Sequence, residues 1–215
     1  MSGHWHVGDD APAQFWEDRY AGEARVWSGK VNRTTADVAR DLPPGRCLDL
    51  GCGEGGDVLW FAAAGWDVTG VDISPTAVRR ASAEAEALGL SGRARFVAGD
   101  LSEWTTEERL DLVTASFFQS PVPLDRTRIL RRVAEQVDAG GRLLIVSHAD
   151  YPSWVPVEDR HDEHQFLRPD EEVAALGLVG WSVEIAEVRR REATAPDGTV
   201  AVLDDSVVLL RRDGV

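Results

Sequence analysis

The chain has 215 residues, of which 43% are hydrophobic and 28% are charged, and this composition is that of an ordinary globular protein. Its 23 basic and 37 acidic residues give a formal net charge of −14. This balance argues against nucleic acid as the main partner and against adhesion to an anionic membrane surface, because both depend on clustered Lys and Arg.

The two cysteines, Cys47 and Cys52, are close together in the sequence, and no second pair exists to complete a disulfide framework or a four-ligand zinc site. Residues 1–10 contain no basic segment followed by an apolar run, so we expect neither a signal peptide nor a transmembrane helix. A soluble cytoplasmic protein with reduced thiols is therefore expected. The sequence carries no signal for the oligomeric state.

Secondary structure is predicted from the spacing of apolar residues. Two helices are expected at the N-terminus, at residues 11–21 and 32–41, on either side of an aromatic loop that contains Trp27. Short apolar runs then alternate with amphipathic stretches. We predict strands at 47–50, 68–71, 96–97, 111–115 and 142–147, and helices at 58–64, 77–88 and 126–137, the last of them ended by Gly140 and Gly141.

The predicted strands are continuously apolar, which indicates burial on both faces and hence a mostly parallel sheet covered by helices. In the tail, residues 181–190 and 199–211 are predicted to form two long strands joined by a turn at Pro196-Asp197-Gly198. The expected fold class is α/β, a Rossmann-like doubly wound sheet that is mostly parallel with an antiparallel C-terminal strand. We expect a single domain, with a helical cap at residues 1–44 and the core at 45–215.

A loop at residues 149–168 is rich in Pro, Trp, His and acidic residues. It is longer than most connections in compact domains, and such loops commonly carry function. We expect this loop and the N-terminal helices to lie at the edge of the sheet where the parallel strands end, since ligands bind there in open α/β sheets.

A glycine-rich run, Leu48-Asp49-Leu50-Gly51-Cys52-Gly53-Glu54-Gly55-Gly56, follows the first predicted strand and leads into a helix. Gly51, Gly53 and Gly56 have the spacing of a dinucleotide-binding motif. Asp72 follows about 20 residues later, where an acid binds ribose hydroxyls. Taken alone, this match predicts NAD.

The acidic residues around the loop favour a different ligand. Asp49 and Glu54 would place carboxylates where a pyrophosphate must lie, and like charges repel. They suit a ligand with a cationic portion, such as one that carries an ammonium and a sulfonium. Asp100 ends the third predicted strand at the same edge and can accept a hydrogen bond from an adenine amine.

The run from Cys47 to Gly55, with Val71-Asp72-Ile73 and Gly99-Asp100-Leu101 at the next strand ends, resembles the class I S-adenosylmethionine-dependent methyltransferases. The resemblance covers about residues 12–212 and implies seven strands, the last inserted antiparallel, with S-adenosylmethionine as cofactor. It implies that the loop glycines hold the methionyl part, that Asp72 binds the ribose, and that Asp100 and Leu101 contact the adenine. The expected cofactor contacts on the loop and strand ends are Asp49, Gly51, Cys52, Gly53, Asp72, Ile73, Asp100, Leu101 and Ser116.

The segment from Phe15 to Tyr20, followed by Trp27-Ser28-Gly29, is similar to the entry region of small-molecule methyltransferases of the thiopurine and tellurite-resistance type. Aromatic residues fold over the cofactor there. We expect Trp16, Tyr20 and Trp27 to do the same, because a sulfonium gains cation–π attraction from an aromatic face. The alternative is that Trp16 and Tyr20 pack a helix on the sheet.

Methyl transfer from a sulfonium is an in-line displacement, and it needs a general base when the acceptor holds a proton at neutral pH. His148, directly after the predicted strand at 142–147, is the candidate catalytic residue. A hydrogen-bonded structural histidine is the alternative. Phe117, Phe118 and Gln119 follow the fourth predicted strand and are candidates for binding the acceptor, with core packing of Phe117 as the alternative.

His161 and His164 lie in the acidic loop and are expected to cover the acceptor. His and carboxylates at this density also suit zinc, copper or nickel, but methyl transfer needs no metal and we predict none. The leading hypothesis is S-adenosylmethionine-dependent methyl transfer to an O, N or S nucleophile of a small-molecule acceptor. The alternative is an NAD-type oxidoreductase or a non-catalytic module that binds an adenosyl cofactor.

Overall fold

A computed structural model describes residues 12–22, 25–152, 154–155, 166–195 and 198–214. In chain order its elements are α1 (Pro12–Tyr20), α2 (Arg33–Ala39), β1 (Arg46–Leu50), α3 (Gly56–Ala63), β2 (Asp67–Asp72), α4 (Pro75–Ala87), β3 (Ala94–Ala98), β4 (Leu110–Ser116), α5 (Arg126–Ala134), β5 (Val137–His148), α6 (Pro169–Leu176), β6 (Trp181–Thr194) and β7 (Val200–Arg212). The longest of these helices, α4, has 13 residues. Among the described residues, no helix is long and apolar enough to cross a membrane.

The seven strands form one sheet in the order β3-β2-β1-β4-β5-β7-β6. Strands β1 to β5 pair in parallel, and β7 runs antiparallel to both of its neighbours, β5 and β6. The strand order reverses between β1 and β4, so the carboxyl ends of these two strands form the switch point at which open α/β sheets bind ligands. The predicted fold class is confirmed, including the antiparallel C-terminal strand.

Both faces of the sheet are buried, and β5 shows how the side chains divide between them. Leu143 and Ile145 belong to the core formed with α5 and α6, whereas Leu144 and Val146 belong to the core formed with α2 and α3. Successive side chains of a strand point to opposite faces, so a continuous apolar run is what two covered faces require. This confirms the reasoning from the sequence.

The predicted end of helix α5 is wrong. Helix α5 ends at Ala134, and Gly140 and Gly141 lie inside β5, where the pairing with β4 shifts register between Leu110 and Leu112. Gly140 has a φ of 84°, and a Cβ on Gly141 would lie 2.7 Å from a methyl group of Val137. The two glycines therefore lie at an irregularity in a strand. A pair of glycines is typical both of such an irregularity and of a helix end.

Helix α6 lies in a stretch for which no helix is predicted. Pro169 occupies its first turn, the Glu171 carboxylate accepts the Arg168 N–H at 2.8 Å, and Gly177 ends the helix in the left-handed conformation. These are start and stop signals that the sequence does contain. A buried ion pair docks the helix, since Nη1 of Arg126 in α5 lies 2.7 Å from both carboxylate oxygens of Glu172.

The N-terminal helices lie at the carboxyl edge of the sheet, as predicted. Glu17 of α1 accepts hydrogen bonds from the Ser74 hydroxyl at 2.6 Å and from Thr76 at the start of α4, and these bonds lower the pKa of Glu17. On α2, Thr34 donates to Asp205 of β7 at 2.7 Å, and Thr35 shares a hydrogen bond with Ser116 at the end of β4. Both helices are thus attached to the ends of strands or to the turns that follow them.

Substituting Glu172→Gln should lower the free energy of unfolding by about 3 kcal/mol, because it leaves the guanidinium of Arg126 largely buried without a carboxylate. Urea unfolding followed by circular dichroism measures this. The exposed Asp170 on the same helix provides a control, since Asp170→Asn should change the free energy of unfolding by less than about 0.5 kcal/mol. Equal effects of the two substitutions would show that the ion pair does not hold α6 in place.

Candidate functional site

The glycine loop leaves β1 at the switch point and has a backbone that glycine is needed to form. Gly51, Gly53 and Gly55 have φ values of 68°, 51° and 85°, in the left-handed region. A Cβ on Gly51 would lie 2.7 Å from the ring of Phe118, and one on Gly53 would lie 3.0 Å from the Tyr20 hydroxyl. The N–H groups of Gly51 and Cys52 both donate to the carbonyl of Val71, which ties the loop to β2.

Asp72, at the end of β2, is 6% exposed and joins the glycine loop to the turn before α4. Its Oδ2 accepts the Gly53 N–H at 2.8 Å, and its Oδ1 accepts the Ser74 N–H at 2.9 Å. Burial raises the pKa of Asp72, while the backbone N–H donors oppose that rise. Each carboxylate oxygen has a second lone pair, so Asp72 can still accept the hydroxyls of a ribose.

Asp49 and Asp57 form a buried pair of carboxyl groups beside the loop. Asp49 is 3% exposed and accepts the Thr114 hydroxyl at 2.6 Å. Asp57, in the first turn of α3, accepts the Asn32 N–H at 2.7 Å through Oδ1, whereas its buried Oδ2 accepts no hydrogen bond from the described residues. Burial and the nearby Asp57 raise the pKa of Asp49 well above its ordinary value, and burial likewise raises the pKa of Asp57.

Sequence reasoning did not identify Asp57, although an acidic residue in the first turn of the helix that follows a glycine loop is a readable signal. Together with Asp49 and Asp72 it gives the loop a buried acidic border. A positive charge beside such carboxyl groups favours their ionised form. With the left-handed glycines, these residues fit the cationic adenosyl ligand that the sequence predicts.

Glu54 has a different role from the one expected. It is buried and accepts the backbone N–H groups of Val26 and Trp27 at 2.9 Å and 3.1 Å. Its charge is matched by Arg80 of α4, which lies 3.0 Å away. Glu54 therefore holds residues 26–27 against the glycine loop, and the preference for a cationic ligand rests on the aspartates.

The predicted aromatic residues of the N-terminal segment come together over the glycine loop. The Tyr20 hydroxyl accepts the indole N–H of Trp27 at 2.9 Å, and the rings of Tyr20 and Trp16 lie 6.3 Å apart. Burial, and then the charge of Asp72, raise the pKa of Tyr20. Trp27 remains 48% exposed, and the Arg19 guanidinium lies 5.7 Å from its ring centroid.

The turn after β3 contains the residues expected to contact adenine. Asp100 is exposed and accepts the Ser102 N–H at 2.8 Å, whereas Leu101 is buried in the core, and Ile73, after β2, is half-buried. Arg132 of α5 donates to the carbonyls of Leu101, Ser102 and Trp104. This guanidinium therefore satisfies backbone carbonyls of the turn.

The segment after β4 begins with a strained residue. Phe117 has a φ of 51° and is the one non-glycine residue in the described part of the chain with a positive φ. Its ring centroid lies 4.4 Å from that of the His148 imidazole, and the Arg191 guanidinium lies 5.5 Å from the centroid of the same ring. Phe118, in contrast, packs in the hydrophobic core, so it provides little open surface for an acceptor.

His148 ends β5 beside this aromatic ring. Its backbone N–H donates to the Gln119 side chain at 3.0 Å, and its imidazole is half-buried. Burial lowers the pKa of His148 from 6.5; Asp205 opposes this effect, and Arg191 adds to it. The imidazole is therefore neutral at pH 7, which is the form that accepts a proton.

A cavity of about 250 Å³ lies at the surface between Thr34 at the start of α2 and Arg191 near the end of β6. Another, of about 590 Å³, lies at the opposite edge of the sheet, around Asp67 and Arg93, and is lined by none of the predicted site residues.

His161 and His164 lie outside the described residues. Within the described ranges, no group of three or more His, Cys, Asp or Glu side chains is arranged to hold a metal ion. At the carboxyl edge of the sheet, the structure brings together the glycine loop, the acidic residues at the strand ends and the aromatic residues of the N-terminal segment. On the other side of β1 it brings together Ser116, Phe117 and His148.

Residues 47–141 match a family model described as a methyltransferase domain. The chain is 32% identical over 133 residues to the probable thiol methyltransferase 2 of Arabidopsis thaliana, covering 60% of this chain and 59% of that protein. It is 34% identical over 117 residues to the ribosomal RNA small subunit methyltransferase C of Alcanivorax borkumensis, covering 51% of this chain and 34% of that protein.

Among solved structures, one reported as "Conversion of a Disulfide Bond into a Thioacetal Group during Echinomycin Biosynthesis" superposes with a TM-score of 0.72. It is 25% identical, and the match covers 94% of this chain and 93% of that chain. By contrast, this chain spans 59% and 34% of the lengths of the two curated relatives.

The strained backbone at Phe117 predicts how two substitutions at this position should differ in stability. Phe117→Gly and Phe117→Ala lose the same ring contacts, but glycine adopts a φ of 51° without the Cβ penalty, so the glycine variant should be the more stable by about 0.5–1 kcal/mol. The same pair at Phe118, where φ is not positive, should show the opposite order. Urea unfolding measures all four, and the same order at both positions would contradict strain at Phe117.

Proposed function

We propose that this chain is a class I S-adenosylmethionine-dependent methyltransferase and that it methylates an oxygen, nitrogen or sulfur nucleophile of a small-molecule acceptor. The observation that carries the proposal is the set of buried carboxyl groups, Asp49, Asp57 and Asp72, around a glycine loop at the switch point. We further propose that residues 1–44 act as a cap on a single domain that continues to residue 215.

Different residues of the site would contact different parts of the cofactor. Gly51 and Gly53 would let the backbone approach the methionyl part, and Asp49 with Asp57 would meet its cationic end. Asp72 would accept hydrogen bonds from the ribose. The turn at Asp100 would contact the adenine.

When bound, the cofactor would supply an electrophilic methyl group carried on its sulfonium. The protein's own part is to position the acceptor, to exclude water and to remove a proton where the acceptor carries one. His148 is neutral at pH 7 and would take that proton. The ring of Phe117 packs against the imidazole and would form the wall of the acceptor pocket.

The charges around the site favour a small molecule over RNA, although one relative is a ribosomal RNA methyltransferase. RNA binding requires basic side chains that are free to meet phosphates. Near His148, each arginine of β6 has a carboxylate partner: Arg189 with Glu187, Arg190 with Asp204 and Arg191 with Asp205. The net charge of −14 points the same way.

Calorimetry with S-adenosylhomocysteine and with NAD tests the choice of cofactor. S-adenosylhomocysteine should bind, NAD should not, and Asp72→Asn should weaken S-adenosylhomocysteine binding by about 10- to 100-fold because a charged acceptor of hydrogen bonds is lost. Asp67→Asn, at the exposed start of the same strand, should leave the affinity unchanged. Binding of NAD in preference to S-adenosylhomocysteine would overturn the proposal.

Mass spectrometry across thiols, phenols, amines and carboxylates should detect the gain of one methyl group on at least one acceptor. For an acceptor that must lose a proton, His148→Ala should lower kcat by about 10²- to 10⁴-fold. Because the pKa of His148 is lowered from 6.5, the wild-type rate should be constant above pH 6.5 and should fall at lower pH as the imidazole gains a proton.

A carboxylate acceptor serves as the control, since it carries no proton at neutral pH and its methylation should be unaffected by His148→Ala. Full activity of this variant on thiols or phenols would refute the role of His148 as base. Absence of methylated product from the entire panel would refute the proposed small-molecule activity.

A further inference from the structure

His148 has a carboxyl neighbour that is far from it in the sequence. In the antiparallel pairing of β5 with β7, His148 lies directly opposite Asp205. Residues that face each other in this way project from the same side of the sheet, with Cβ atoms about 4.5–5.5 Å apart. Thr34 of α2 donates to Asp205, so this side is the one that α2 covers.

Asp205 is 0% exposed, and its two oxygens differ in their surroundings. Oδ2 accepts hydrogen bonds from the Thr34 hydroxyl and from Nε of Arg191, both at 2.7 Å. Oδ1 is buried and has no hydrogen-bond partner among the described residues, and the same is true of Nδ1 of His148. A buried polar atom without a partner is destabilising, so a hydrogen bond between these two atoms would relieve both penalties.

We propose that Asp205 is the positioning residue for His148, its Oδ1 accepting the Nδ1–H of the imidazole when the cofactor or its product, S-adenosylhomocysteine, occupies the site. The inference rests on the proposed role of His148 as the base. The two atoms are not hydrogen-bonded to each other in the structure, and catalytic hydrogen bonds commonly close when substrate is bound. The carboxylate then fixes the tautomer that leaves the Nε2 lone pair free for the acceptor.

The other acidic residues nearby are already engaged elsewhere. Asp150 is exposed, and its carboxylate accepts the Tyr151 N–H at 2.7 Å. Asp204 is the neighbour of Asp205 on the same strand, so its side chain points to the opposite face, where it pairs with Arg190. Among the described residues, Asp205 is therefore the carboxylate that lies directly opposite His148 on this face.

Arg191 of β6 completes the arrangement and is the other charged group that acts on the imidazole. It occupies Oδ2 of Asp205, which leaves Oδ1 for His148, and its guanidinium also packs on the ring of Phe117. On the same strand, Arg189 lies opposite Asp205 in the pairing of β6 with β7, but its guanidinium is paired with Glu187. The charged groups of β7 and β6 on this face are thus Asp205, Arg191 and the paired Arg189 and Glu187, and of these Asp205 and Arg191 act on the imidazole.

The proton balance of the step is simple. Neutral His148 holds one proton on Nδ1, and Nε2 takes the proton that the acceptor releases as it is methylated. The resulting imidazolium lies beside the Asp205 carboxylate, which stabilises it and remains ionised. Release of the second proton to water restores the neutral imidazole.

Nitrogen-15 NMR of the wild-type protein saturated with S-adenosylhomocysteine tests the tautomer without any turnover. In the neutral form, His148 should carry its proton on Nδ1. A proton on Nε2 would overturn the proposal, whatever the enzyme methylates. Absence of methylated product with the Nδ1–H tautomer present would refute the proposed function and leave the positioning contact established.

Asp205→Asn provides the second test, with Asp150→Asn as the matched control. The amide removes the charge that raises the pKa of His148, so this pKa should fall further in Asp205→Asn, and kcat on a thiol acceptor should fall by about 100-fold. Affinity for S-adenosylhomocysteine should not change in either variant. An unchanged pKa of His148 together with full kcat would overturn the proposal, and if the variant does not fold, the tautomer of the wild-type protein decides.

Discussion

Carboxyl groups held out of water at the switch point constrain the structure around them. Asp49, Asp57 and Asp72 are buried, and each needs hydrogen-bond donors, which come from the Thr114 hydroxyl and from backbone N–H groups of Gly53, Ser74 and Asn32. Meeting this need fixes the path of the chain: the loop turns back on β2 through left-handed glycines, and the residue before α2 is held against α3. The positions of the cap and of the ligand site thus follow from one electrostatic requirement, since a buried charge without partners is strongly disfavoured.

Most of the fold could be predicted because its signals are local. Continuous apolar strands, Ser74-Pro75 at a helix start and the spacing of Gly51, Gly53 and Asp72 are all readable within a few residues or one βαβ unit. The errors have two physical sources. Gly140-Gly141 has the same signature in a strand irregularity and at a helix end, and Glu54 is neutralised by Arg80, which is far from it in the sequence. Asp205 could not be identified because the register that sets it opposite His148 exists only after β7 has paired with β5.

Helix α1 and residues 26–27 are attached differently from the rest of the molecule. Glu17 and Glu54 hold this region through hydrogen bonds to the start of α4 and to backbone N–H groups, whereas the sheet and α2 are held by two large apolar cores. Segments with few buried apolar contacts open at lower free energy than the core of a domain. Helix α1 and residues 26–27, which border the glycine loop, are therefore expected to open before the sheet unfolds.

The place of β7 in the sheet has a consequence for the order of assembly. This strand comes last in the sequence yet lies between β5 and β6, so the gap that it fills stays open until the preceding strands have been made. During synthesis, at about 5–20 residues per second, the edge of β5 remains unpaired for several seconds and is exposed to other chains. The same event that closes this edge also brings Asp205 to His148. Insertion of β7 therefore does two things at once. It completes the arrangement for proton transfer, and it covers an edge at which other chains could pair.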